Sequence, residues 1–210
     1  MTAALRNFWR VYLIEAWALG MFMISACFFV ILFEHPLSPL HRAIDSAFVR
    51  RVFIGLAMGI TAVGLINSGW GKKSGAHMNP AVTIAFWHLH RISGAHAFWY
   101  ILAQIIGGTL AVFMVKALVP TLITTPEVNY VATKPGMQGL LFAFGAEFLM
   151  AFILFYTVLT LSNSSKAAWT GICAGALVFI FISLEAPLSG MSINPARTIA
   201  SSLPSHIWSG

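Results

Sequence analysis

Read along the chain, apolar residues gather into five long runs, at 11–33, 52–66, 97–118, 140–161 and 167–184, parted by short polar stretches. A helix crosses the hydrocarbon core of a bilayer with roughly 20 predominantly apolar residues, so each run predicts one membrane span. The second is short unless Phe48 and Val49 join it, which brings Arg50 and Arg51 to its end. The connections are brief: 34–45 links the first two spans, 119–136 (rich in Pro and Thr) links two halves, and 162–166 links spans four and five. The expectation is an all-α integral membrane protein, one membrane domain over residues 1–210 with no soluble domain.

Two polar interruptions carry nearly the same wording. Ser74-Gly75-Ala76-His77-Met78 precedes Asn79-Pro80-Ala81, and Ser189-Gly190-Met191-Ser192-Ile193 precedes Asn194-Pro195-Ala196. Asn is a favoured N-cap and Pro a favoured first helical residue. Each tripeptide therefore opens a helix, here one of about 10 residues. Such a helix rises about 15 Å, half of a roughly 30 Å hydrocarbon core.

The halves match beyond the tripeptides. Gly55 and Gly59 precede the first as Gly171 and Gly175 precede the second, and small residues four apart let membrane helices approach closely. Glu15 lies in the first helix of one half and Glu147 in the first helix of the other; Val82-Thr83-Ile84-Ala85 answers Arg197-Thr198-Ile199-Ala200. Repeat one covers about 8–118 and repeat two about 137–210. An odd number of spans per repeat inverts the second copy, and inverted repeats commonly place their site at the midplane. Asn194 follows Asn79 by 115 residues, so Ala95, just before the third span, corresponds to Gly210. By its own symmetry the sequence is expected to be truncated, with five full spans present and the sixth missing.

Composition agrees with membrane burial. Hydrophobic residues make up 59% and charged residues 9%, against about 25% charged in soluble domains. The net charge of +6 comes from basic residues scattered between apolar runs, which suits membrane flanks and not nucleic acid. With the N-terminus inside, six basic residues lie inside and five outside, which does not fix orientation. The first run is too long for a secretory signal and no small-residue cleavage site closes it, so it is expected to be a retained helix. Cys27 and Cys173 read as buried thiols. His88, His90 and His96 lack zinc-site spacing; no metal or cofactor is expected. There is no nucleophile elbow, phosphate loop or paired-carboxylate constellation, so the chain is not expected to be an enzyme.

The paired half-helices carry the chemistry. Entering from opposite sides, they meet N-terminus to N-terminus, each end bearing about +0.5 charge and unpaired N–H groups. Cations and migrating protons are repelled there, while a neutral molecule with an oxygen is not. The Asn79 and Asn194 amides supply donors to that oxygen. Arg197 follows Asn194 by three residues, and its counterpart in the first half is Val82, so this membrane-depth charge is placed once. It is expected to face the lumen. Glu15 and Glu147 either accept hydrogen bonds from the loop backbone before each half-helix or form a proton relay; the symmetry favours the first. His77 is expected to line or prop the first loop.

With both Asn-Pro-Ala copies, Ser-Gly-Ala-His before the first, Arg197 after the second and Glu in spans one and four, the chain resembles the aquaporins, the major intrinsic protein family. Its compact loops and Trp70-Gly71-Lys72-Lys73 resemble bacterial members. The resemblance implies a homotetramer in the plasma membrane, six spans and two half-helices, one pore per subunit, and passive conduction of water. It also implies a constriction built from Ile182, Met191, Arg197 and Met58, with Gly59 the alternative to Met58. Water-selective members carry His at the Ile182 position, so small neutral solutes such as glycerol, urea or ammonia join water as expected permeants. Two rival expectations stand beside this one: a truncated, non-conducting membrane protein, and an ion-coupled transporter using Glu15 and Glu147.

Overall fold

The computed structural model describes residues 3–208, which form helices and loops with no strand among them. Five helices are long and apolar enough to cross a membrane: α1 (Ala3–Glu34), α3 (Ala47–Asn67), α6 (Gly94–Leu118), α8 (Leu140–Ser162) and α9 (Thr170–Ser189). Between them lie the short α2 (Pro39–Ala43), α4 (Gly69–Ser74) and α7 (Pro120–Ile123) and the half-length α5 (Pro80–His88); the half-length α10 (Pro195–Ser205) follows α9. Gly210, where the repeat predicts a further span, lies outside the described residues.

Packing pairs elements both within the first repeat and across the two. α1 lies along α6, α3 along α9, and α10 rests on α6. The α3–α9 crossing is where the matched glycines act. A Cβ on Gly59 would stand 2.6 Å from the Gly175 carbonyl oxygen, and one on Gly175 would stand 2.6 Å from that of Gly59. With hydrogen in place of a side chain, the two backbones touch directly, and dispersion contacts along the seam replace the hydrophobic drive that lipid cannot supply. Gly107 does the same for α6, its hydrogen facing the Ala16 carbonyl of α1. The buried interior comprises Leu19, Met23 and Cys27 of α1, Met58 of α3, Val112 of α6, and Ala196 and Ala200 of α10.

Three boundaries differ from the sequence expectation. α3 begins at Ala47, five residues early, which places Arg50 inside the helix. That charge is tolerated because Glu34 at the end of α1 receives it, at 3.1 Å from Nε and 3.0 Å from Nη2, while Nη1 donates to the carbonyls of Ile44 (2.8 Å) and Asp45 (3.0 Å). The 34–45 connection is not wholly irregular: Ser38 caps α2 through its side chain. α9 runs on to Ser189 with Pro187 inside it, so Glu185 is a third carboxylate within a span, and it is buried. α8 is the least covered span, with 11% of its apolar window buried against 39% for α1. Phe142, Phe144, Phe148 and Phe152 stand exposed on it, as a lipid-facing helix allows.

Candidate functional site

Each Asn begins its half-helix. Asn79 Oδ1 accepts from the Ala81 N–H at 2.9 Å; Asn194 Oδ1 accepts from Ala196 at 3.1 Å and Arg197 at 3.2 Å. Pro80 and Pro195 occupy the first turn, where their missing N–H groups leave no bond unmade. Both carboxamides then reach across the molecule. Asn79 Nδ2 donates to the Ile193 carbonyl at 2.8 Å, and Asn194 Nδ2 donates to the Met78 carbonyl at 2.7 Å. The reciprocal pair brings the N-termini of α5 and α10 together and engages one N–H of each amide. A carboxamide has two donors, so this contact leaves one N–H of each amide unengaged.

The loops before the two caps are held in the same unusual shape. Ala76 (φ 47) and Met78 (φ 49) have left-handed backbone, as do Met191 (φ 52) and Ile193 (φ 44), each pair 115 positions from its counterpart. Left-handed backbone costs an L-residue roughly 1–2 kcal/mol, so something must hold it. One carboxylate per loop does. Glu15, fully buried, accepts from the N–H groups of His77 at 3.0 Å and Met78 at 2.7 Å. Glu147 accepts from Ser192 at 2.7 Å, from the Ile193 N–H, and from the Ser189 hydroxyl. Charge-assisted bonds of this kind contribute about 1.5–3 kcal/mol each, enough to offset the backbone strain.

Several members of this network were not singled out from the sequence. Gln104 Nε2 donates to Glu15 at 2.8 Å and to Thr83 Oγ1 at 3.1 Å, and the Tyr100 hydroxyl donates to the Ser74 carbonyl at 2.7 Å. His77 Nδ1 lies 3.1 Å from Thr83 Oγ1, its ring against Phe86 and Tyr100. In the second loop Ser192 Oγ bonds Thr198 Oγ1. Thr83 and Thr198 occupy equivalent repeat positions, a signal that was available; Gln104 carries none, since only the α1–α6 crossing brings it to Glu15.

A cavity of about 520 Å³ runs past both caps, lined among others by Asn79, Asn194, His77, Met58, Ile182 and Arg197. Met191 joins them, and Val82 occupies the place in the first half that Arg197 holds in the second. Of the two alternatives in α3, Met58 faces the cavity, while Gly59 is committed to the Gly175 backbone. Arg197 Nη1 is buried and without a hydrogen-bond partner among the described residues. The guanidinium shares the lining of this cavity with the apolar side chains of Met58, Ile182 and Met191. No group of three His, Cys, Asp or Glu among the described residues is placed to hold a metal; His96 instead meets the Tyr12 hydroxyl at 2.9 Å. The arrangement offers hydrogen-bond donors, a fixed positive charge and apolar walls.

Comparison with known proteins places this geometry. The profile of the family described as major intrinsic protein matches residues 3–210. Among curated relatives, aquaporin NIP6-1 of Arabidopsis thaliana is 34% identical over 153 residues, covering 70% of this chain and 48% of the relative. Glycerol uptake facilitator protein-like 6 of Lactiplantibacillus plantarum is 34% identical over 163 residues, with 74% of each covered. Aquaporin AqpM of Methanothermobacter thermautotrophicus is 33% identical over 162 residues, covering 76% of this chain and 65% of the relative. The matched stretch thus spans about half to three quarters of these relatives' lengths. Among solved structures, the aquaglyceroporin of Plasmodium falciparum superposes with a TM-score of 0.77 over 95% of this chain and 81% of its own, at 20% identity, a likeness of fold. On its profile match and these relatives, the chain belongs to the major intrinsic protein family.

Proposed function

We propose that the protein is a passive transmembrane channel for water and small neutral solutes, glycerol, urea and ammonia among them, and not an enzyme. The observation that carries the reading is the reciprocal bond between Asn79 and the Ile193 carbonyl and between Asn194 and the Met78 carbonyl, beside one cavity. It sets two helix N-termini face to face, each with about +0.5 charge. A passing solute oxygen takes donors from the free amide N–H groups and from Arg197. Hydronium and metal cations meet the summed positive potential of both helix ends and the guanidinium. Glu15 and Glu147 act as brackets for the loops, and His77 as a prop of the first. Met58, Ile182, Met191 and Arg197 form the constriction. Three apolar members admit a carbon skeleton along one wall, which supports solutes larger than water. Family membership supports a homotetramer in the plasma membrane.

Purified protein in liposomes, shocked with an impermeant osmolyte in a stopped-flow instrument, is expected to shrink the vesicles faster than empty controls. Iso-osmotic gradients of glycerol and urea then rank the solutes. Equal rates with and without protein refute conduction. A second reading, a membrane protein that does not seal a pore by itself, is favoured by the thin cover of α8 (11% buried) beside Leu154 and Val158 of the cavity wall. Such a protein gives no osmotic response, or passes ions along with water. An ion-coupled transporter through Glu15 and Glu147 instead predicts solute accumulation driven by a proton gradient.

A further inference from the structure

The two ends of the helical bundle differ in charge and in tryptophan. One end gathers the starts of α1, α6 and α9 with the ends of α3 and α8. Tyr12 meets His96 there, the Trp17 and Trp70 rings pack edge to face at 4.9 Å, and Arg91 Nη2 donates to Asn163 at 3.2 Å. A Cβ on Gly171 would lie 2.8 Å from Asn67, joining α9 to α3 at the same level. Six cations stand exposed at this end: Arg6, Arg10, Lys72, Lys73, Arg91 and Lys166. None of them is in a salt bridge among the described residues, and the carboxylate in the same half of α1, Glu15, is fully buried and bonded to the His77 and Met78 N–H groups. The opposite end holds five cations, but Glu34, Asp45 and Glu127 share it, and Glu34 is closed on Arg50 at 3.0 Å.

Exposed indoles follow the same asymmetry. Trp9 (47% exposed), Trp70 (53%), Trp87 (45%) and Trp169 (58%) ring the cationic end, against one exposed indole among the described residues, Trp208 (60%), beyond α10 at the other. Each of the four has a cation beside it in space or sequence. The Arg10 guanidinium lies 5.5 Å over the Trp9 ring; Lys72 and Lys73 follow Trp70, Arg91 follows Trp87, and Lys166 precedes Trp169. An indole at the edge of an apolar span seats its ring among acyl carbons and its N–H among headgroups, with long basic side chains reaching past it to phosphate.

The geometry points to this end as a docking surface for anionic phospholipid headgroups, densest where α4, with Lys72 and Lys73, packs on α1, which carries Arg10. A soluble polyanion fits less well, because the cations alternate with indoles that belong in the acyl boundary. Each basic side chain near an anionic surface strengthens attachment about fivefold, an effect that falls off within a Debye length.

The test reconstitutes the full chain in vesicles mixing phosphatidylcholine and phosphatidylglycerol, with either lipid brominated to quench tryptophan fluorescence. Brominated phosphatidylglycerol is expected to be preferred about tenfold or more at low salt, falling toward parity at high salt. The variant Arg10→Gln/Lys72→Gln/Lys73→Gln is expected to lose at least about fivefold of that preference. Lys72→Arg/Lys73→Arg, and Arg42→Gln/Lys134→Gln at the opposite end, are expected to keep it. Equal quenching by the two lipids in the native protein overturns the proposal. So does a triple variant that binds phosphatidylglycerol as tightly as the native chain, or loss of the preference in the opposite-end variant.

Discussion

Asn79 and Asn194, 115 residues apart, each donate a hydrogen bond to the carbonyl just before the other, at 2.8 Å and 2.7 Å. The bonds join the two repeats at their point of symmetry, and each Asn also caps its own half-helix. Replacing either by Ala removes a cap, at about 1 kcal/mol, and a partly buried hydrogen bond, at about another. Asn79→Ala and Asn194→Ala are each expected to lower stability by about 2 kcal/mol. Because the two contacts adjoin, the double variant is expected to depart from additivity by about 0.5 kcal/mol or more. Denaturant titration in detergent reads both; strict additivity argues that the carboxamides do not share one junction.

Removing a loop bracket strands buried N–H groups. Glu147→Ala leaves those of Ser192 and Ile193 without their acceptor, while the left-handed backbone at Met191 and Ile193 stays strained. A loss of at least about 3 kcal/mol is expected, together with loss of osmotic conductance. Gln104→Ala takes away a single donor to Glu15 and is expected to cost less, about 1–2 kcal/mol. Thermal unfolding of the purified variants ranks them, and the reverse order contradicts the bracket role.

Arg197 is charged where Val82, its repeat counterpart, is not. Arg197→Val matches this position to its repeat counterpart and removes the fixed cation from the cavity wall. Osmotic water flow is expected to persist or rise, while proton or sodium leak across vesicles, read with a pH-sensitive dye or a tracer, is expected to increase about tenfold or more, the effect of a full charge on local ion concentration. An unchanged leak assigns cation exclusion to the helix ends alone.

Gly175 and Gly64 provide a matched pair. Gly175→Ala forces a methyl within 2.6 Å of the Gly59 carbonyl oxygen and into Val63, whereas a Cβ on Gly64 meets nothing within 4 Å. The first is expected to destabilise by about 1–3 kcal/mol or prevent folding. The second is expected to be neutral or to stabilise by about 0.5–1 kcal/mol, because Ala restricts the unfolded chain. Comparing unfolding midpoints checks the α3–α9 seam directly.

Elements with a local signature were legible along the chain. The five spans follow from apolar length, because lipid selects for it whatever the neighbours. The half-helices follow from Asn-Pro at their starts, a cap whose bonds close within three residues. The pairing of Gly55 and Gly59 with Gly171 and Gly175 foretold a close crossing, since only small residues allow one in a membrane. The span limits were less legible. The apolar pattern puts Arg50 at the end of span two and stops span five at residue 184, yet Arg50 lies inside α3, where Glu34 arrives from another helix to receive it, and α9 runs past Glu185 to Ser189.

What the chain by itself determined is therefore the inventory: five spanning helices, two half-helices opened by Asn, one carboxylate for each loop and a single unmatched Arg197. Tertiary structure alone decided the partnerships. Gln104 meets Glu15 across 89 positions, Asn79 spends one of its two donors on Ile193, and Met58 rather than Gly59 faces the cavity because Gly59 is pressed against Gly175. The physical reason is range. Capping and hydropathy act within a turn or a span, whereas which polar groups bond across the bundle depends on how closely the backbones cross, and that distance is a property of the packed whole.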